Sequence, residues 1–136
     1  MYYLDSCTCI ELLRGKAPIA YKLMRRSDPR LFAIPSVVEA ELRVGALKSQ
    51  DPKGNGLLLE CFLVPFAIVP FDSACAREYA TIRAHLETAG MKIGPNDLII
   101  AAMARSQNAT LVTNNVREFK RVPGLRIESW CDVSLA

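Results

Sequence analysis

The chain has 136 residues, 51% of them hydrophobic and 23% charged, with a formal net charge of +3. That length suits one domain over residues 1–136, and the composition supports a real core and excludes a disordered chain. The charge is too small to demand a nucleic-acid partner but does not repel one, and the longest apolar stretch, residues 61–71, is broken by Pro65 and Pro70, short of the about 20 residues a membrane span needs.

Met1-Tyr2-Tyr3-Leu4-Asp5 lacks the basic start of a signal peptide, so a cytoplasmic protein with no membrane partner is expected. Tyr2 to Leu4 reads as a first strand that delivers Asp5 at its C-terminal end. Residues 10–14 read as a helix ended by Gly15, and residues 19–25 as a second helix. A short strand over 31–34 is closed by Pro35. Ser36 and Glu39 have the spacing of a capping box before a helix over 37–47. Residues 51–56 are a loop or the frayed start of a helix that continues through Leu57-Leu58-Leu59. Ala67 to Val69 is a strand between prolines. Asp72 caps a helix whose apolar positions Cys75, Tyr79, Ile82 and Leu86 keep helical spacing, and Gly90 ends it. Residues 98–104 are apolar almost all round, which predicts a central buried helix. Residues 110–113 form a strand, Asn114-Asn115 turn the chain into a short helix, and residues 125–130 alternate as a last strand at an edge. Strands alternating with helices imply an α/β fold with a mainly parallel sheet covered on both faces, whose sites lie beyond the carboxyl ends of the strands.

Several catalytic kits are missing. The one histidine, His85, lies between Arg83 and Glu87 on an amphipathic helix and reads as solvated, so no Ser-His-Asp or Cys-His system is available. No P-loop or dinucleotide fingerprint occurs. The five cysteines, Cys7, Cys9, Cys61, Cys75 and Cys131, form no C-x-x-C pair and read as reduced thiols packed as small apolar groups.

What remains is acids. Asp5 follows an apolar strand, Glu41 lies on a helix face otherwise made of Val38, Leu42 and Gly45, and Asp97 opens the most apolar helix with no Arg or Lys in the seven residues after it. Glu39 is assigned to capping and Glu41 to the site. Three converging carboxylates cannot all stay ionised and unpaired, and a hard divalent cation such as Mg²⁺ or Mn²⁺ resolves their repulsion. Phosphodiester hydrolysis fits that chemistry.

The order and spacing of five pieces carry a family likeness over essentially the whole chain. They are Leu4-Asp5-Ser6, Ile34-Pro35-Ser36 through Glu41-Leu42 with Gly45, Gly94-Pro95-Asn96-Asp97 with Ile100-Ala101, the run Val112-Thr113-Asn114-Asn115-Val116-Arg117-Glu118-Phe119, and the tail from Val122 to Trp130. Together they resemble the PIN-domain ribonucleases, specifically VapC toxins of toxin–antitoxin systems. The resemblance implies a PIN-like α/β/α sandwich with a mainly parallel central sheet of about five strands. It implies Mg²⁺-dependent endonucleolytic cleavage of RNA, with Mn²⁺ able to substitute, and a homodimer. It also implies a cognate VapB antitoxin whose C-terminal segment occupies the active-site groove and through which the complex reaches promoter DNA. The tail and the Gly94-Pro95-Asn96-Asp97 motif look most like the branch that cuts initiator tRNA in the anticodon stem-loop.

Carried over by position, Asp5, Glu41 and Asp97 fall on the family's three main acids, the expected metal ligands. The fourth catalytic position lies open between Asn115, where many relatives have Asp, and Glu118, which leaves the metal count open too. Ser6, Thr113, Asn114 and Arg117 are the expected substrate contacts. Ser6-Cys7 stands where Thr-Asn is common: Ser6 keeps the hydroxyl and Cys7 loses the amide. Arg25, Arg26 and Arg30 read as a solvated face, whereas Arg117, Lys120, Arg121 and Arg126 neighbour the site and suit phosphate. Two rivals stand beside this reading: a phosphatase with an aspartyl nucleophile, which Cys7 at the place of a second Asp opposes, and a non-catalytic PIN-like RNA-binding module, which Asn115 favours.

Overall fold

Short strands alternate with helices through residues 1–130, the part of the chain described by this computed structural model; residues 131–136, and with them the expectation for Cys131, lie outside it. β1 (Tyr2–Leu4), β2 (Phe32–Pro35), β3 (Ala67–Val69), β4 (Thr110–Val112) and β5 (Arg126–Glu128) form one sheet in the order β3-β2-β1-β4-β5, with every pairing parallel. Between them run α1 (Ser6–Leu13), α2 (Pro18–Arg26), α3 (Ser36–Leu47), α4 (Pro52–Leu63), α5 (Ser73–Thr88), α6 (Pro95–Ser106) and the short α7 (Val116–Phe119). Parallel neighbours need crossover connections, which as a rule are right-handed. The chain winds from β1 out to β3, then returns to β4 and β5 on the other side, so the helices before and after that reversal form two groups: α1 to α4 pack among themselves, and α5 packs on α6. This is the expected α/β/α sandwich, its sheet wholly rather than mainly parallel. β1 and β4 lie side by side where the winding reverses, which is where open α/β sheets place their sites.

Burial on both faces explains why β2 reads as an unbroken apolar run, all four residues buried. α6 buries Leu98 and Ile100 to Ala104, as its all-round apolarity predicts. His85 is exposed on α5. Gly15 and Gly90 end α1 and α5 with φ of +67° and +70°, the left-handed conformation that glycine adopts most readily. Among the described residues no helix is long and apolar enough to cross a membrane.

Several boundaries differ from the sequence reading, each for a local reason. α1 starts at Ser6 rather than residue 10, because the Asp5 side chain caps it. A 3-10 turn, Pro29–Leu31, moves β2 one residue on. The capping box does not form: Ser36 is already inside α3 behind Pro35, and Glu39 pairs with Arg43, which also reaches Glu60 on α4. β5 is confined to Arg126–Glu128, at an edge as expected. The thiol reading holds for buried Cys9 and Cys75, but Cys61 is exposed and Cys7 is hydrogen-bonded at the end of the sheet.

Residues 51–56 enter α4, and Asp51 caps it by accepting the Gly54 N–H at 3.0 Å. A Cβ on Gly54 would overlap that carboxylate, whereas one on Gly56 meets nothing within 4 Å. Helix propensity alone favours Ala over Gly by about 1 kcal/mol. Gly56→Ala should therefore raise the free energy of urea unfolding by close to that amount, and Gly54→Ala should give no gain because it displaces the cap.

Candidate active site

The Asp5 N–H donates to the Val112 carbonyl at 2.9 Å, which fixes Asp5 between the ends of β1 and β4. The residue is 4% exposed. Its Oδ1 accepts the Ser6 N–H at 2.8 Å, and its Oδ2 accepts the Thr113 hydroxyl at 2.7 Å. Thr113 Oγ1 in turn accepts the Asn115 N–H at 3.0 Å, closing the turn out of β4. Cys7 Sγ lies 3.6 Å from Asp5 Oδ2 and accepts the Asn114 N–H at 3.3 Å. Burial, with the Asp5 charge behind it, pushes the Cys7 thiol above its ordinary range, against the smaller pull of the Asn114 N–H.

Asp97 sits in the first turn of α6, where the helix dipole favours its charge. Burial and the negative charges of Asp5, Glu118 and Glu41 outweigh the dipole and push its carboxyl up to about 7. Glu118 moves the other way. The Gly94 N–H donates to its Oε1 at 2.6 Å and Asn115 Nδ2 to its Oε2 at 2.8 Å, which holds it below the ordinary carboxylate range. Asn115 Nδ2 also reaches Asp97 Oδ2 at 3.3 Å. Of the two, Asp97 is the carboxyl that takes up a proton first as pH falls. Glu41, on α3, is pushed up by burial first and by Asp5 as well. Asn96 and Ser6 lie beside it and oppose that shift, but neither hydrogen-bonds Oε1, which is buried with no partner. A groove of about 250 Å³ opens next to Glu41 between α1, α3 and α4, lined by Ile10, Leu13, Arg14 and Leu58.

The fold thus brings Asp5, Glu41, Asp97 and Glu118 within reach of one another's charge, with Asn115 bridging two of them. Ser6 stands beside Glu41; Asn114 and Arg117 are exposed on the turn after β4 and on α7. Thr113, expected at the substrate, is instead fully buried with its hydroxyl committed to Asp5, so it presents no face to RNA. Of the basic residues, Arg30 pairs with Asp28 and Arg121 donates to the Lys92 carbonyl at 2.8 Å, while Arg117, Lys120 and Arg126 are exposed. Sequence reasoning missed Asn96 and the part played by Cys7. The signal for Asn96 was its place next to Asp97 in the first turn of α6.

Residues 2–125 match the PIN domain family. The chain is 41% identical over 132 residues to Ribonuclease VapC2 of Rickettsia felis, covering 96% of this chain and 98% of that protein. The chain belongs to the PIN-domain family. This PIN domain is also 37% identical to the tRNA(fMet)-specific endonuclease VapC of Salmonella typhimurium, over 96% of this chain and 98% of that one. It superposes with a TM-score of 0.87, at 39% identity, on a chain of the crystal structure of VapBC2 from Rickettsia felis bound to a DNA fragment from its promoter, covering 95% of this chain and 98% of that one.

PIN-domain ribonucleases depend on a metal ion, and this donor set suits one. It is all oxygen, it holds a buried carboxylate oxygen without a partner on Glu41, and burial and neighbouring acids push the Asp97 carboxyl up to about 7, a shift that a cation would oppose. Among the described residues no three such side chains already stand close enough to hold an ion by themselves.

Proposed function

We propose that this chain is the toxin of a toxin–antitoxin pair, an endoribonuclease that hydrolyses RNA phosphodiesters with Mg²⁺, for which Mn²⁺ substitutes, held by Asp5, Glu41 and Asp97. The observation that carries the reading is the crowding of these acids, with no histidine near and the Asp97 carboxyl pushed up to about 7 by burial and by its acidic neighbours. A bound cation supplies a water of lowered pKa and neutralises charge building on the phosphoryl group. The chain's own residues do the rest. Asp5 stays aimed because both its oxygens are hydrogen-bonded. Asn115 holds Asp97 and Glu118 in one arrangement, so Glu118 fills the fourth position and Asn115 orients it. Ser6 lies beside Glu41, and Arg117 and Asn114 are exposed where a phosphate backbone would pass.

The names of the relatives extend the proposal. The substrate is RNA, with initiator tRNA cut in the anticodon stem-loop as the first candidate. The partner is a cognate VapB antitoxin, and promoter DNA is met through it. We further infer that residues 1–136 form one PIN domain, that the protein is a homodimer, and that it works in the cytoplasm. The test is cleavage of initiator tRNA by purified protein with Mg²⁺, Mn²⁺ or EDTA, with 5′ ends mapped. Chelation should stop cleavage and Mn²⁺ should restore it. Cleavage that survives EDTA, or RNA binding with no cleavage at all, would overturn the assignment.

Glu118→Gln tests the charge at the fourth position. Its amide oxygen still accepts the Gly94 N–H, but the charge is gone and the amide nitrogen faces the Asn115 Nδ2 donor in place of an acceptor. Mn²⁺ affinity measured by calorimetry should fall by about tenfold, with a loss of about 1 kcal/mol in stability at pH 7.

A further inference from the structure

Cys7 has no part in the reaction as described, yet it touches three pieces of the site at once. It sits in the first turn of α1, with Sγ 3.6 Å from Asp5 Oδ2, 3.6 Å from Thr113 Oγ1 and 3.3 Å from the Asn114 nitrogen. The donors sort in one way. The Asn114 N–H can only donate, so sulfur accepts it. The Thr113 hydroxyl proton goes to Asp5 Oδ2 at 2.7 Å, and Thr113 Oγ1 already accepts the Asn115 N–H at 3.0 Å. The single S–H of Cys7 then goes to Asp5 Oδ2, because a charged acceptor makes the stronger bond than a hydroxyl whose lone pair is already in use. Asp5 Oδ2 is thereby held from two sides, by α1 through Cys7 and by the end of β4 through Thr113. Cys7 also grips the turn that leads to Asn115, the residue that bridges Asp97 and Glu118.

We propose that Cys7 is a positioning residue: its thiol ties the Asp5 carboxylate to the Thr113-Asn114-Asn115 turn and so fixes Asp5 relative to the Asp97–Glu118 pair. This rests on the reading of Asp5 as a metal ligand. Its competitor is a thiol that merely fills space. The two differ in chemistry: a space-filler tolerates any group of its size, whereas the tie needs one donor and one acceptor. Alanine has neither, and asparagine has both.

The test uses the full chain and three readouts. Calorimetry without RNA should show Cys7→Ala binding Mn²⁺ about three- to tenfold more weakly than wild type, with kcat reduced by a similar factor and KM for RNA unchanged. Cys7→Asn should recover the affinity. In the infrared, the wild-type minus Cys7→Ala difference spectrum should carry a lowered S–H stretch that rises when Asp5→Asn removes the charged acceptor. Unchanged Mn²⁺ affinity in Cys7→Ala, a loss that Cys7→Asn does not repair, or an S–H stretch indifferent to Asp5 would overturn the tie and leave the nuclease reading standing. A wild-type protein that binds no Mn²⁺ would sink both.

Discussion

Asp97→Asn is expected to abolish RNA cleavage while making the metal-free protein more stable above pH 7. The carboxylate is a proposed ligand, so the loss in kcat should be at least about a thousandfold, the scale of removing several kcal/mol of charge stabilisation from a transition state. Stability moves the other way because of where the charge sits. In the unfolded chain Asp97 titrates at its ordinary value near 3.8, and in the fold it is pushed up to about 7 by burial and by Asp5, Glu118 and Glu41. Between those values the folded state binds the extra proton. Stability therefore declines as pH rises from about 4 to about 7, and the deficit is constant above that. For a half-buried, solvent-screened group it amounts to about 1–2 kcal/mol. Glu118 contributes with the opposite sign and lower down the scale: its depressed pKa adds stability above 4.5 that is lost on acidification. Asparagine keeps the shape and removes the cost. Urea unfolding at pH 8 should show Asp97→Asn above wild type by about 1 kcal/mol, with a flatter profile between pH 5 and 8. Mg²⁺ should raise the wild-type midpoint at pH 8 and leave that of the variant alone. A variant that still cuts RNA, or that is less stable than wild type at pH 8, would remove Asp97 from the site.

The same proton governs metal affinity. Below pH 7 a cation must displace it from Asp97, so apparent affinity should fall by up to about tenfold per pH unit on acidification and level off above pH 7.

How far the sequence alone led depends on how local each signal is. α6 is legible because burial on every side leaves an apolar segment with one acid at its opening, and β3 because prolines bracket it. Asp5, Glu41 and Asp97 stand out as charges on apolar elements. The misreadings come from interactions between residues distant in the chain, or from backbone geometry that residue types do not specify. Thr113 reads as a polar turn residue facing a ligand until its hydroxyl meets Asp5, 108 positions away. Glu118 and Asn115 stay level as candidates for the fourth corner in the sequence, because the contact that holds the Glu118 carboxylate, the Gly94 N–H, comes from 24 positions earlier. The Ser36 box fails because Pro35 already occupies the cap position, and α1 is hidden because Ser6-Cys7-Thr8-Cys9 are modest helix formers that an Asp5 cap rescues.

Asp5 should behave unlike Asp97, and the contrast separates a ligand that is also a structural post from one that is only crowded. Asp5→Ala removes the acceptor that caps α1, a loss of about 1 kcal/mol. It also strands the buried Thr113 hydroxyl, about 1–3 kcal/mol more. The metal-free protein should therefore be destabilised by about 2–4 kcal/mol at pH 7, and cleavage should vanish. Loss of activity in that variant alone would be ambiguous, because unfolding gives the same result. Asp5→Asn resolves it. The amide oxygen can keep the cap on Ser6, and the amide nitrogen, placed at the Thr113 hydroxyl, can donate once that hydroxyl rotates, so most of the stability should return. The charge does not return, so Mn²⁺ binding and cleavage should both stay lost. Calorimetry and urea unfolding on the pair then give a pattern that no packing role reproduces: Asp97→Asn inactive and stabilised, Asp5→Asn inactive and near wild type in stability, Asp5→Ala inactive and destabilised. An Asp5→Asn protein that binds Mn²⁺ as wild type does would mean that Asp5 serves the fold and not the ion.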